Sequence, residues 1–351
     1  MTTEFRINNF DLLRIVAATQ VLLGHSATHL GLALPAGWQF VLAFPGVPIF
    51  FTISGFLISA SYERSSSLAN YASNRVLRIA PGLWCVVFAT ATVAALFGFD
   101  FLHFRALVWL LCQMVGVIFT PGFLKSFGFG HYNGSLWSIP VEIQFYFLLP
   151  FLYWGGKRIE QRRNALLFIA WVIFLTASVF VAKVWPPQPE NVLEPLTHKL
   201  LGFSFVPHFY MFLSGVLLQR WQAYRSPWIA GKGLLWLMAY LLGHFTLMSA
   251  GSLHTVVVMP LLAVTTISMA YTAPQLSQWL LRGNDISYGV YIYHGLVLNV
   301  LVEMGYLGNW FYMLPVVGMT FLAGALSWRY VERPFLRRKR QTIHVVANGS
   351  F

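Results

Sequence analysis

The sequence has little charge and almost no cysteine. Charged residues make up 10% of its 351 residues, and the two cysteines, Cys85 and Cys112, both lie inside apolar stretches. A soluble domain of this length needs more charge to cover its surface, so the shortage argues against an ordinary soluble protein. Two cysteines placed in this way form neither a disulfide framework nor a metal motif, and we interpret them as small core residues.

The motifs of many soluble enzymes are missing as well. The sequence contains no Walker A loop, no paired Cys/His metal spacing, no nucleophile elbow and no dinucleotide fingerprint. We therefore expect no bound metal. Any nucleotide-like donor must be held by a part of the fold that lacks these motifs. The net charge of +12 sits in short loops between apolar runs. With no basic soluble face, we expect no nucleic-acid binding, although some of this charge can meet anionic membrane lipid.

What is abundant is apolar sequence, which accounts for 57% of the chain. It comes in runs of about 20 residues, the length that spans a bilayer. The eleven candidate segments are 11–32, 38–60, 80–98, 104–121, 136–154, 165–185, 200–219, 234–250, 254–272, 286–303 and 310–329. They predict an all-α, polytopic membrane helical bundle. We place one integral domain at 1–340 and a short cytoplasmic tail, expected to be disordered, at 341–351.

The positions of Lys and Arg predict the topology of the bundle. The stretches rich in these residues are 63–78, 157–163, 220–232 and 333–340, and the positive-inside rule places all of them in the cytoplasm. An even number of crossings must then separate Arg78 from Lys157, yet three candidate segments lie between them. We predict that 104–121, which ends at a Thr-Pro-Gly breaker, is a re-entrant or interfacial segment. About ten transmembrane helices remain, with both termini cytoplasmic.

The first apolar segment carries three ionisable residues, Asp11, Arg14 and His25. Such groups are costly at membrane depth and are usually functional. Eleven helical residues bring the chain back to within about 20° and advance it about 16 Å, so the three side chains share one stripe. An imidazole titrates near neutrality, which makes His25 the best candidate base; the alternative is a histidine bonded to a neighbouring helix. Arg14 is either a snorkelling arginine or a clamp for an anionic group.

Two further groups lie next to or inside apolar segments. Arg75 and Arg78 are spaced i, i+3, so their guanidiniums share one helical face and suit a phosphate or diphosphate; an ordinary topology signal is the alternative. Glu142 is the only carboxylate in a long apolar run and shares a face with Ser138. A buried ion pair with an Arg and a catalytic role, such as orienting a His, are about equally well supported for it.

Near the end of the chain, Ser287, Tyr291 and His294 fall on one helical stripe. They could bind a sugar or relay a proton, or they could form interhelical hydrogen bonds. Ser54 and Gly55 are small residues that favour close helix packing. Four other histidines are interpreted as interfacial or packing residues: His29, His208, His244 and His254.

Taken in order, these motifs resemble the membrane acyltransferase-3 family over nearly the whole chain. The matching motifs are Phe10-Asp11-Leu12-Leu13-Arg14 with His25, Pro48–Leu57, Arg75 and Arg78-Ile79-Ala80-Pro81, Leu136-Trp137-Ser138 with Glu142 and Tyr146, Ile286-Ser287-Tyr288 with Tyr291 and His294, and Glu332-Arg333-Pro334-Phe335. Each motif is weak alone, but all six in order on a ten-helix plan form a strong signal.

The resemblance implies a multi-pass enzyme of the bacterial inner membrane that O-acylates cell-surface sugars. It implies acyl-CoA, most often acetyl-CoA, as a donor that arrives from the cytoplasm. The acceptor would be a sugar hydroxyl on a lipid-linked or polymeric exported glycan. Some members add a C-terminal esterase-like domain that is not seen here. We therefore expect this stand-alone form to act by itself or to pass the acyl group to a partner, such as a polysaccharide assembly protein.

The resemblance and the residue patterns together give expected roles. We expect His25 to act as general base or transient acyl carrier, with the other catalytic candidates Arg14, Asp11 and Glu142. We expect Arg75, Arg78 and Arg14 to hold the phosphates of acyl-CoA. The residues expected to bind the acceptor are Trp137, Ser138, Tyr291 and His294.

Two other function classes compete with the enzyme. One is a transporter or flippase, because membrane Arg, Glu and His also form proton relays. The absence of detectable paired halves in the sequence argues against it. The other is a non-catalytic scaffold for polysaccharide assembly, which would tolerate loss of both Arg14 and His25.

Overall fold

The computed structural model describes residues 7–155, 160–185 and 196–337, and within these ranges it contains helices and no strand. The predicted tail 341–351 lies outside the described residues, as does most of the loop between 185 and 199. Five helical stretches are long and apolar enough to cross a membrane: Trp38–Arg64, Leu68–Leu96, Gly134–Trp154, Arg162–Val184 and Trp310–Arg337. Shorter apolar helices accompany them. The all-α membrane bundle is confirmed, while the count of ten crossings stays a prediction.

The described residues form a succession of α-helices, and the longest described connection between two of them is 115–137. In chain order they are α1 (Phe10–His29), α2 (Trp38–Leu42), α3 (Gly46–Arg64), α4 (Leu68–Leu96), α5 (Phe104–Met114), α6 (Ser138–Gly155), α7 (Glu160–Val184), α8 (Leu196–Gly202), α9 (Phe209–Arg220), α10 (Gly233–Leu247), α11 (Met259–Ala270), α12 (Leu276–Leu281), α13 (Ser287–Glu303) and α14 (Met313–Ser327). Single π-helical turns lie at His254–Val258 and Trp328–Glu332.

Each of the eleven predicted apolar segments contains α-helix, but the bounds differ from those predicted. Helix α4 begins at Leu68, well before the predicted start, because the hydroxyl of Ser67 caps it by accepting from the backbone N–H of Asn70 at 3.1 Å. Arg75 and Arg78 are therefore inside this helix. Helix α5 has 11 residues, a length of about 16 Å at 1.5 Å per residue. That is too short to cross a hydrocarbon core of about 30 Å, in agreement with the predicted re-entrant or interfacial segment.

The predicted segment 200–219 is interrupted. Helix α8 ends at Gly202 and α9 begins at Phe209, with non-helical residues between them. Pro207 lies in this interval and has no backbone N–H to donate, so a continuous helix is unfavourable there. The ring of His208 hydrogen-bonds to the carbonyl of Gly202 at 3.1 Å, so a side chain links the two ends of the interruption.

The chain divides into two compact units. The first unit comprises residues 1–17, 43–65 and 138–283. Within it, α3 and α9 meet backbone to backbone. A Cβ atom added to Gly55 would lie 1.9 Å from the carbonyl oxygen of Phe212, and one added to Gly215 would lie 2.0 Å from that of Thr52. Gly55 therefore has the packing role that the small residues of its segment predicted.

The second unit comprises residues 18–42, 66–137 and 284–351. Its central helix is α13, which is buried along nearly its whole length. A Cβ atom on Gly289 would lie 2.7 Å from the Cα of Gly324 on α14, and one on Gly82 of α4 would lie 2.5 Å from the ring of Tyr288. Because α13 is held this closely on two sides, its side chains have fixed positions in the unit.

Candidate active site

Two histidines meet inside the second unit. His25 is on α1 and His294 is on α13, and Nδ1 of His25 lies 3.0 Å from Nε2 of His294. The ring centroids are 5.2 Å apart. His294 is 0% exposed, whereas His25 is half-buried. His25 thus forms the hydrogen bond to a neighbouring helix that was its alternative interpretation; its own side chain is half-buried, while its partner is sealed inside the bundle.

The second nitrogen of His294 has a different environment. Its Nδ1 is buried and, within the described residues, makes no hydrogen bond of normal geometry. The turn before it on its own helix presents the carbonyls of Val290 and Tyr291. This is the direction in which a helical side chain leans. Both are acceptors, so Nδ1 faces groups that can only receive a hydrogen bond.

Aromatic rings continue from this pair along α1 and into the segment before α6. The ring of His29 lies 5.9 Å from that of His25 and stacks on Phe129 at 3.9 Å with an interplanar angle of 15°. His131 follows at 6.5 Å from Phe129. Sequence reasoning assigned His29 no function. Its i, i+4 spacing from His25 was the signal that could have placed it beside the base.

A polar side chain of α13 fixes the segment that carries these rings. The Nδ2 group of Asn299 donates to the carbonyls of His131 and Tyr132, both at 2.9 Å, and its Oδ1 accepts from the N–H of Phe129 at 3.1 Å. The carboxylate of Glu303 accepts from the N–H of Gly128 at 2.7 Å. Backbone N–H and C=O groups outside regular helix need other partners, and these two side chains supply them to the segment.

Two predicted acceptor-binding residues lie near the 3-10 turn Gly134–Trp137. The hydroxyl of Tyr291 donates to the carbonyl of Ser135 at 2.7 Å, and Asn133 donates to the carbonyl of Ile292 at 2.7 Å. Tyr291 thus forms the interhelical hydrogen bond that was its alternative interpretation. Trp137, at the end of the turn, is half-buried. Neither observation tests a sugar-binding role, which stays a prediction for both residues.

The predicted phosphate clamp is on α4 in the same unit. Arg78 forms an ion pair with Asp285 at 2.7 Å, and Asp285 also accepts from the hydroxyl of Ser287. Arg75, one turn before Arg78, is half-buried and lies 5.8 Å from the ring of Tyr71. The sequence did not single out Asp285, because a lone aspartate in a loop carries no local signal.

The remaining candidates belong to the first unit. Asp11 and Arg14 form an i, i+3 ion pair on α1 at 3.2 Å, and their side chains are 44% and 18% exposed, respectively. Pairing with Asp11 balances part of the arginine's charge. Within the described part of the chain, no three side chains of His, Cys, Asp or Glu are grouped so that they could hold a metal ion.

Glu142 is bound by hydroxyl groups. Its Oε1 accepts from Ser54 on α3 and from Tyr146 on its own helix, both at 2.6 Å. Ser138, the first residue of α6, is buried. The sequence identified Glu142 as a lone carboxylate in apolar surroundings but interpreted Ser54 only as a packing residue. Hydroxyl donors satisfy a carboxylate without a counter-charge, and this leaves its catalytic role a prediction.

Comparison with known proteins gives a consistent set of relatives. The family model described as an acyltransferase domain matches residues 7–329. Nodulation protein 10 of Rhizobium leguminosarum bv. viciae is 32% identical, over 96% of this chain and 95% of its own length. The O-acetyl transferase of Shigella phage Sf6 is 29% identical over 94% of this chain and 96% of its own. Exopolysaccharide production protein ExoZ of Rhizobium meliloti is 26% identical over 87% and 93%. No solved structure matches the chain significantly.

Proposed function

The chain belongs to the acyltransferase family whose model covers residues 7–329, and from this membership we propose a specific reaction for it. The protein moves an acyl group, acetyl in the first instance, from acyl-CoA to a sugar hydroxyl of a lipid-linked or exported bacterial polysaccharide. It does so in the inner membrane, with its termini in the cytoplasm and polysaccharide assembly proteins as neighbours. Relatives named as an O-acetyl transferase and an exopolysaccharide production protein support this choice of substrates.

The hydrogen bond between His25 and His294 is the observation that carries the proposal. A half-buried imidazole in a membrane bundle, held at 3.0 Å by a second, sealed imidazole, has a defined orientation. A histidine that only packs needs a hydrogen-bond partner for its ring. A general base also needs a second ring nitrogen that the substrate hydroxyl can reach. His25 meets the first requirement through its hydrogen bond to His294, its side chain is half-buried, and it stands at the position that the family resemblance predicts for the base.

In the proposed step, His25 takes the proton of the sugar hydroxyl as the oxygen attacks the thioester carbonyl. The new C–O bond forms, the C–S bond breaks, and the proton on His25 passes to the departing thiolate, giving CoA thiol and the sugar ester. No other reactant is consumed. A transient acyl-histidine is a second route, in which the same nitrogen attacks the thioester and the sugar hydroxyl then displaces the imidazole.

The donor is held, in this proposal, by the arginines of α4. Arg75 binds a phosphate of acyl-CoA directly. Arg78 adds charge to the same site while its pairing with Asp285 fixes its position. Arg14 contributes a further cation from α1, with Asp11 balancing it. The guanidinium fork suits a phosphate because it donates two parallel hydrogen bonds.

The acceptor is held by Trp137, Ser138 and Tyr291 in this proposal, and Glu142 assists the transfer. An indole face offers an apolar surface to a sugar ring, while hydroxyl groups orient its own hydroxyls. These assignments rest on the family resemblance of the motifs, not on any contact with a ligand.

The test uses purified protein in lipid nanodiscs, acetyl-CoA labelled in the acetyl group, and glycan isolated from a strain lacking this protein. Wild-type protein is expected to form a labelled ester on the glycan. His25→Ala should lower the rate by about 10²–10⁴-fold, the usual worth of a general base. The matched control is His244→Ala. His244 also pairs with a second histidine, His254, at 3.2 Å, but it lies in the first unit on α10.

Three outcomes contradict the proposal. Absence of any labelled ester with wild-type protein would favour the transporter or flippase. Wild-type rates in His25→Ala would remove the base from the mechanism. An equal loss of rate in His244→Ala would show that removing any paired membrane histidine damages the protein.

A further inference from the structure

We propose that His294 is a positioning residue that fixes His25 in the tautomer with the proton on Nδ1 and the lone pair on Nε2. The inference rests on the proposed function, because it assigns a task to the partner of the proposed base. It also changes the expected role of His294, which was predicted to bind the acceptor. A side chain that is 0% exposed does not touch a sugar in this conformation.

The argument begins with the protonation of His294. A charged imidazolium in a ring that is 0% exposed would lose its hydration, so the neutral ring is favoured. A neutral imidazole carries one proton, on either Nδ1 or Nε2. The choice between these two tautomers depends on what each nitrogen faces.

The two nitrogens of His294 face different groups. Nδ1 is buried without a hydrogen-bond partner among the described residues, and the side chain leans over the preceding turn of α13, which presents the carbonyls of Val290 and Tyr291. A lone pair pointed at carbonyl oxygens would be repelled, whereas an N–H directed at them is attracted. The proton of His294 therefore belongs on Nδ1. Its Nε2 then carries a lone pair and must accept.

The partner of that lone pair is Nδ1 of His25, at 3.0 Å. Since His294 Nε2 accepts, His25 Nδ1 must donate, and a neutral His25 then has its lone pair on Nε2. The Nε2 atom is thus the nitrogen that takes a proton from the sugar hydroxyl or attacks the thioester. Both routes of the proposed reaction need this tautomer, as does the histidine of a serine-protease triad, which an aspartate holds in the same way.

The pair also keeps the transferred proton on His25. Protonated His25 donates toward Nε2 of His294, and complete transfer of that proton is unfavourable because it would charge a ring that is 0% exposed. The proton taken from the sugar hydroxyl therefore stays on His25, where it is available for the departing thiolate. His294 needs no further acid or base to perform this task.

The test compares two substitutions of His294. In His294→Gln the side-chain carbonyl can replace Nε2 as acceptor, and we expect the rate to stay within about fivefold of wild type. In His294→Leu no acceptor remains, and we expect kcat to fall by about 10- to 100-fold, the usual effect of losing a residue that orients a histidine. The KM values for acetyl-CoA and glycan should be unchanged in both, because His294 touches neither. Thermal unfolding of both variants controls for folding.

A second measurement reports on the tautomer without reference to activity. Protein labelled with 15N in histidine is studied by NMR, and the His25 signals are identified by their loss in His25→Ala. We expect the proton of His25 on Nδ1 in wild type and a mixture of tautomers in His294→Leu. A proton on Nε2 in wild type, or a wild-type kcat in folded His294→Leu, overturns this inference. Neither result affects the proposed function, which fails instead if His25→Ala is active.

Discussion

Arg78 on α4 and Asp285, two residues before α13, form an ion pair of 2.7 Å. The Asp285 side chain is 8% exposed and that of Arg78 is 23% exposed, so water screens this pair only in part. The same carboxylate accepts from the hydroxyl of Ser287 at the start of α13. Arg78 therefore joins two helices of the second unit, whereas Arg75 contacts the ring of Tyr71 on its own helix. The two arginines of the predicted clamp have different structural surroundings.

Arg75 can be substituted without removing either member of the Arg78–Asp285 ion pair. Arg75→Ala should raise the KM for acyl-CoA by about 10-fold or more, because a hydrogen bond to a charged group is worth about 1.5–3 kcal/mol. Initial rates at low and high salt measure the effect, which should shrink as salt screens the phosphate. Arg105→Ala is the control, since Arg105 is an exposed residue of α5. An unchanged KM in Arg75→Ala would exclude Arg75 from the donor site.

Removal of Asp285 should instead weaken the fold. Asp285→Ala removes the carboxylate of the 2.7 Å ion pair with Arg78, and we expect a loss of about 2–3 kcal/mol in the free energy of unfolding. Thermal unfolding in detergent micelles, followed by tryptophan fluorescence, measures it. Asp100→Ala serves as control, because Asp100 is exposed and only accepts from the N–H of Leu102 nearby. Equal stability of the two variants would mean that the Arg78 pair contributes nothing.

The helical architecture was predictable because it depends on local sequence. Apolar runs of bilayer length must satisfy their backbone groups internally, and each of them formed helix. The points of disagreement depend on single residues that change backbone bonding. Ser67 extends α4 toward its N-terminus by capping it. Pro207 lies at the interruption of the segment 200–219, where the periodicity of apolar residues gives no warning.

The candidate site residues were named one at a time from the sequence, and their roles stay predictions; the contacts between them were not predicted. His25 and His294 were each identified from their own helix, and their hydrogen bond joins positions 269 residues apart. The periodicity of apolar residues within one helix gives no information about contacts between residues that are so far apart in the sequence. Asn299, a polar residue within the apolar run 286–303, could have been noticed as costly at membrane depth. What it binds, three backbone groups of residues 129–132, follows only from the packing.

Asn299 and Glu303 should protect different amides of the segment before α6. Asn299→Leu removes the acceptor of the Phe129 N–H, and Glu303→Leu removes that of the Gly128 N–H. We expect amide exchange to accelerate by about 5- to 10-fold at the amide that loses its partner, since a hydrogen bond contributes about 1 kcal/mol. Hydrogen–deuterium exchange resolved by residue measures both. Glu303→Gln keeps an acceptor and should leave Gly128 protected. Identical exchange patterns in Asn299→Leu and wild type would contradict this assignment.

Substitutions at Glu142 and Tyr146 can separate the effect of the carboxylate charge on activity from the effect of its hydrogen bonds on stability. The amide carbonyl of Glu142→Gln can still accept from Ser54 and Tyr146, so the free energy of unfolding should change by less than about 1 kcal/mol. If the carboxylate assists transfer, as we propose, kcat should fall by about 10- to 100-fold, the lower part of the range for acid–base groups. Tyr146→Phe is the matched control, because it removes one hydrogen bond and leaves the charge; it should cost about 1 kcal/mol of stability and little activity. A wild-type kcat in folded Glu142→Gln would make Glu142 a structural residue that joins α3 to α6.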